Sequence, residues 1–313
     1  MIVIVCPGQG SQTPGFLSPW AELPDVATAL GELGQAAGLD LLAHGTTSDT
    51  ETIKDTAVAQ PLIVAAGLAT AIPLLATPYA VSGRLVSGHS VGEITAAALA
   101  GVITPTDAMR FVAVRGRGMA AASAMAPTGM SAVLGGEKEE VLARLGDLGL
   151  TPANMNGAGQ IVAAGTMEQL GALAADPPTK TRVIPLKVAG AFHTEHMAPA
   201  LAELSAIEQR VSATDTTAAG TVVVSNADGA LLTDGAQIVS RLVTQVSNPV
   251  RWDLCMQSFA DHNVTTLIEL APAGTLVGLA KRALPGVTTM AVKSPDDLDR
   301  ARELIAADAT TGA

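Results

Sequence analysis

The 313-residue chain has only two cysteines, Cys6 and Cys255. Two are too few for a disulfide framework at this length, and their spacing fits no zinc motif. A reducing setting follows, and the cytoplasm is the expected location. Basic charge is scarce as well: 18 Lys and Arg stand against 29 Asp and Glu, a net charge of −11, and no basic run is longer than a pair. Such a surface repels nucleic-acid phosphates and anionic membranes, so neither is an expected partner. Long hydrophobic runs are missing too. The apolar start, Met1 to Cys6, has no basic residues before it and stops at Pro7, unlike an export signal. Leu62 to Ala76 falls short of the roughly 18 residues of a spanning helix and holds Gly67 and Pro73, so it reads as a buried core helix. Neither tandem repeats nor low-complexity linkers occur.

What is present is a chain 48% apolar and 15% charged, enough for a sizeable core in one large domain or two unequal ones. Ile2 to Cys6 is a continuous β-branched run closed by Pro7-Gly8, as in a central strand covered on both faces. Leu85 to Ser87 is a second short strand, and Ile94 to Val102 an Ala-rich helix behind it. Thr104-Pro105-Thr106-Asp107 is a helix start with a cap, a proline and an acid in order, opening a helix that carries Phe111, Val112 and Arg115. From Thr128 to Val188 the pattern changes. Strand 129–134, helix 137–148, strands 153–156 and 160–164, helix 167–175 and strand 182–188 spell β-α-β-β-α-β, the split ferredoxin-like order. The expected organisation is α/β: a discontinuous large domain, 1–127 and 191–313, with a small subdomain inserted at 128–190. Beyond it, Met197, Leu201 and Leu204 recur at helical spacing and place His193 at a helix start. Thr221 to Ser225 and Thr266 to Leu270 are further strands, and Ser294 to Asp297 caps a last helix.

Gly88-His-Ser90-Val-Gly92 matches the G-x-S-x-G elbow, in which small neighbours let the chain turn sharply from strand to helix and expose a serine hydroxyl. Five residues recur by chance, but here a strand precedes and a helix follows; the bland alternative is a turn in which Ser90 caps the helix. A serine nucleophile needs a base. Among five histidines, His193 is the best placed, since a helix N-terminus disfavours the imidazolium; a purely structural histidine remains open. His89 adjoins the serine but would point elsewhere on an elbow. His193-Thr-Glu-His196 lacks the i, i+4 spacing of a zinc motif, and no metal is expected. Gly8-Gln9-Gly10-Ser11-Gln12 lacks the third glycine of a dinucleotide fingerprint, where Thr13 stands. It reads either as a loop turning backbone N–H groups toward an oxyanion or as an ordinary turn. Arg115 and Arg117 lie in an otherwise small, apolar helix and need an anionic partner, either a structural carboxylate or that of a substrate.

Taken in order, Gly8-Gln-Gly-Ser-Gln12, Gly88-His-Ser-Val-Gly-Glu93, Arg115-Gly-Arg-Gly-Met119, Asn154-Met-Asn-Gly-Ala-Gly-Gln160, Gly190-Ala-Phe-His193 and Gln245-Val-Ser-Asn-Pro-Val-Arg-Trp252 resemble the malonyl-CoA:acyl-carrier-protein transacylases, over nearly the whole chain. The resemblance implies an α/β-hydrolase-like large domain with a ferredoxin-like insert. It implies Ser90 as nucleophile, His193 as base and the backbone carbonyl of Gln245 as the group that orients the histidine. The N–H groups of Gln9 and Val91 would form an oxyanion hole, Arg115 would hold the malonyl carboxylate, Asn156 would line the pocket, and Phe192 would favour malonyl over methylmalonyl. It further implies ping-pong transfer of malonyl from malonyl-CoA to the phosphopantetheine thiol of acyl carrier protein, no cofactor, and a monomer. An acidic enzyme meeting an acidic carrier needs a local basic face, for which Arg182, Lys187 and Arg251 are candidates. A serine thioesterase built on the same pair is the alternative, and a carrier-docking scaffold a more distant one.

Overall fold

Ile2, Ile4 and Cys6 face one side of the first strand, Val3 and Val5 the other, and all five are fully buried in the computed structural model, which describes residues 1–75 and 84–311. A strand apolar on both faces has to be covered by helices on both, and this one is. Ten strands form among the described residues: β1 (Ile2–Cys6), β2 (Leu85–Gly88), β3 (Thr128–Gly135), β4 (Thr151–Gly157), β5 (Gln160–Thr166), β6 (Thr181–Pro185), β7 (Val222–Val224), β8 (Leu231–Leu232), β9 (Thr266–Glu269) and β10 (Thr288–Ala291). The large sheet runs β10-β9-β1-β2-β7-β8, parallel except for the β7–β8 hairpin. Helices Pro24–Ala37, Thr56–Leu74, Gly92–Leu99 and Pro105–Ser123 contribute to the core on one face of this sheet. Trp252–Asp261 and Thr275–Ala283 cover the other. The segments after β1, β2 and β7 leave from the same carboxyl edge, the edge at which parallel α/β sheets place their sites.

Strands β3 to β6 form a separate antiparallel sheet in the order β4-β5-β3-β6, with helices Lys138–Asp147 and Met167–Ala175, which is the ferredoxin-like arrangement. Its two faces are sorted by strand alternation. Val133, Ile161 and Ala163 meet Leu145, Leu170 and Leu173 in a small core of their own, whereas Met130, Val162 and Ala164 join the core of the large domain. Residues of the loop after the large domain's Gln245 extend this contact: Met155 N–H donates to Val250 O at 2.9 Å and Val250 N–H to Ala153 O at 2.8 Å.

Several elements differ from the reading of the sequence. β6 ends at Pro185 and does not run on to Val188, although Leu186 N–H still donates to Met130 O at 2.9 Å. The core helix begins at Thr56, before Leu62, where Asp55 accepts from Ala57 N–H; Ala76, the expected end, lies outside the described residues. This helix, Thr56–Leu74, is long and apolar enough to cross a bilayer, yet most of it is buried within the protein. Four helices between Ser18 and Lys54 were not anticipated, although Val26, Leu30, Leu33 and Ala37 show helical spacing on the buried face of Pro24–Ala37.

Candidate active site

The turn from β2 into the helix Gly92–Leu99 leaves no room for side chains at its ends. A Cβ on Gly88 would lie 2.0 Å from the Gly92 carbonyl carbon, and one on Gly92 would lie 2.2 Å from Cys6 O. Between them Ser90 has φ 54°, the left-handed region that costs a residue with a side chain about 1 kcal/mol or more and persists only where the surroundings hold it. Asn226, just past β7, does the holding: its Oδ1 accepts from Ser90 N–H at 2.8 Å and its Nδ2 donates to Gly88 O at 2.7 Å. The helix cap falls on Val91 and uses no side chain, so Ser90 is not a capping serine.

Ser90 Oγ lies 2.7 Å from His193 Nε2, and His193 Nδ1 lies 2.9 Å from the backbone carbonyl of Gln245. A carbonyl only accepts, so Nδ1 carries the proton and Nε2 presents its lone pair to the serine hydroxyl. His193 also has positive φ, 62°, and its N–H donates to Val246 O at 3.1 Å. The expected helix start at His193 is displaced. Thr194 caps a 3-10 turn, Glu195–Ala200, and the α-helix begins only at Leu201. The neutral state of His193 therefore has a different cause from a helix dipole: burial first, then the nearby Arg115 charge, push its pKa down to about 3.

Arg115 is fully buried on the helix Pro105–Ser123. It donates to Gln60 Oε1 at 2.7 Å, to Gln245 Oε1 at 2.8 Å and to Ser90 Oγ at 3.3 Å, while its Nε finds no partner. Two neutral amides and a hydroxyl hold this cation. No carboxylate lies within ion-pair distance of it among the described residues, although Glu93 sits behind Gln245 and opposes the burial that lowers the arginine pKa to about 10. A buried guanidinium with donor capacity to spare is a receptor for a carboxylate. Arg117, two residues on, points the other way and is exposed.

The loop after β1 touches the elbow. A Cβ on Gly8 would lie 2.7 Å from His89 O, and His89 N–H donates to Cys6 O at 3.0 Å. Gln9 follows on this loop, its Oε1 buried without a hydrogen-bond partner. Residues 3–295 match the acyl transferase domain.

The chain belongs to the acyl transferase family.

A malonyl CoA-acyl carrier protein transacylase of Mycobacterium tuberculosis (strain H37Rv) is 54% identical over 306 residues, 97% of this chain and 100% of that protein. The crystal structure of MCAT from Mycobacterium tuberculosis superposes with a TM-score of 0.90 at 52% identity, covering 96% of this chain and 99% of that one. A malonyl-transacylase solved in complex with its type II PKS acyl-carrier protein gives 0.86 at 29% identity, covering 97% and 99%.

Other residues of this acyl transferase fall less simply. Phe192 is buried next to His193. Asn156 Oδ1 lies 2.8 Å from His89 Nε2, which ties the small subdomain to the elbow. His89 thus points away from Ser90 and stands edge-on to the buried Trp252, with ring centroids 5.6 Å apart. Of the basic candidates, Arg251 is bound to Asp253, which also takes Lys138. Arg182 and Lys187 are exposed in and after β6. Gln60, Glu93 and Asn226 were not picked out from the sequence. Gln60 was the most legible, an amide in a helix otherwise apolar along most of its length; nothing local marks Asn226, whose work is done 136 residues away at Ser90.

Proposed function

We propose that this chain transfers the malonyl group of malonyl-CoA to the phosphopantetheine thiol of acyl carrier protein through an acyl-enzyme on Ser90. The observation that carries the reading is the convergence of two groups on one hydroxyl: His193 Nε2 at 2.7 Å, poised to take its proton, and the guanidinium of Arg115 at 3.3 Å. His193 takes the proton as Ser90 Oγ bonds to the thioester carbon. The tetrahedral oxyanion would be met by Gln9 and Val91 N–H, and the imidazolium is stabilised by the Gln245 carbonyl. Collapse breaks the C–S bond, and the proton on His193 passes to the departing CoA sulfur. The carrier thiol then repeats the sequence in reverse, so one thioester replaces another and no cofactor is required.

Arg115 supplies the choice of acyl group. A malonyl carboxylate pairs with it, and the same pairing cancels the positive charge that depresses His193, so the correct substrate strengthens its own base. The buried ring of Phe192 beside His193 supports malonyl over a branched homologue. The names of the relatives support acyl carrier protein as acceptor and extender-unit supply to fatty acid or polyketide synthesis as the role. Two buried free thiols support the cytoplasm as location. A monomer is the assembly we propose.

Intact-protein mass spectrometry after brief exposure to malonyl-CoA tests this. Wild type should gain one malonyl group and lose it on addition of acyl carrier protein; Ser90→Ala should gain none. Arg115→Ala should lose at least roughly tenfold more kcat/KM with malonyl-CoA than with acetyl-CoA. An adduct lost to water at the same rate with or without carrier would make the protein a hydrolase.

A further inference from the structure

Gln245 has two jobs at once. Its backbone carbonyl orients His193, and its side-chain oxygen accepts from Arg115. An amide can be turned end for end, and only its surroundings decide which end faces the guanidinium. On the other side its Nε2 donates to Ser90 O at 3.0 Å and to a carboxylate oxygen of Glu93. Glu93 lies on the helix Gly92–Leu99, is buried, and directs its second oxygen to Asn226 N–H at 2.6 Å. Both contacts require an acceptor, and only a carboxylate offers two acceptor oxygens in one side chain.

We propose that Glu93 is a positioning residue for acyl transfer: by accepting from Gln245 and Asn226 together, it fixes the amide whose oxygen aims Arg115 and the strap that shapes the elbow. The hydrogen-bond partners of Ser90 Oγ are His193 and Arg115, not Glu93. Its action runs through two relays, Gln245 to Arg115 and His193, and Asn226 to the Ser90 and Gly88 backbone. An amide at position 93 would set one N–H against another, at Gln245 or at Asn226, and free the Gln245 side chain to turn. The charge matters as well, since Glu93 is the anion facing buried Arg115 across that amide. The other groups around it are Arg241, which is already bound to Asp228, and the thiol of Cys255, which burial keeps protonated.

The proposal rests on Ser90 and His193 carrying the transfer. Its test is the single-turnover acylation rate at saturating malonyl-CoA, followed by intact mass from pH 5.5 to 9, with Tm measured in parallel. Burial, the larger cause of the low His193 pKa, persists when malonyl pairs with Arg115, and burial holds Glu93 at about 7, so the wild-type rate should rise as Glu93 ionises near pH 7. Glu93→Gln should acylate roughly tenfold more slowly and lose that limb. Glu93→Asp, which keeps the charge, should retain the limb at a reduced rate, and it carries the test should Glu93→Gln not fold. A Glu93→Gln rate equal to wild type, or a slowed rate with the same pH limb, would overturn the proposal alone. Wild type that forms no malonyl adduct would overturn the acyl-enzyme reading and the proposal together.

Discussion

Burial weakens the hold of His193 on a proton, to a pKa of about 3, and strengthens that of Glu93, to about 7. The linkage to stability follows in opposite senses. Between pH 3 and 6.5 the unfolded chain binds more protons at His193 than the folded one, so that residue's contribution falls as pH drops below 6.5. Between pH 4.5 and 7 the folded chain binds more at Glu93, and its contribution falls as pH rises. From 4.5 to 6.5 the two oppose each other. Relative to wild type, His193→Ala should therefore gain stability as pH falls from 6.5, and Glu93→Gln should gain it as pH rises from 4.5. Each should change by roughly 1 kcal/mol per pH unit. Thermal melts across this range check both, and variants that track wild type in parallel would contradict the assignment. The residues that carry these protons differed in legibility. Ser90, His193 and Arg115 lie in motifs whose residue types announce their chemistry. The purpose of Glu93 emerges only when Gln245, 152 positions later, is folded against it.

Turns and caps were easier to anticipate than the segments they join. Thr104 accepts from Asp107 N–H and Ser294 forms a capping box with Asp297, as their sequences suggest, whereas the capping box of Thr166 with Gln169 was not anticipated. The ferredoxin-like order was readable because strand alternation and helical spacing change over within a few residues. The helices between Ser18 and Lys54 were missed because three are six residues or shorter and the fourth carries Gly31 and Gly34 on its length. Gly34 is required there, since a Cβ would lie 2.6 Å from Leu39 O. The elbow is the element most exposed to substitution. Gly92→Ala should destabilise by about 3 kcal/mol or abolish folding, because the methyl group meets backbone that cannot yield. Thr166→Ala should cost only about 1 kcal/mol and leave acylation intact. Denaturant titration of the two ranks them, and equal losses would mean that the elbow tolerates opening.

For the molecule as a whole, the small subdomain is not an independent body. Met130, Val162 and Ala164 share a core with the large domain, and Val250 is hydrogen-bonded on both sides to β4. Subdomain and large domain should consequently melt in one calorimetric transition whose van't Hoff and calorimetric enthalpies agree; two separable transitions would refute this. The same stitching ties the small subdomain to the loop that holds His193, since Val250 and Gln245 lie on one short segment. One further property comes from the scarcity of aromatic rings. Of two tryptophans in the sequence, Trp20 is anchored far along the chain from the elbow residues, with its indole N–H on Lys293 O, and Trp252 stands edge-on to His89, the neighbour of the nucleophile. In a Trp20→Phe background, all indole emission would come from a ring packed on His89, the residue next to Ser90. Acylation at Ser90 should then register as a change in that emission, with no dye, label or coupled assay, and a stopped-flow trace unchanged on mixing with malonyl-CoA would contradict this.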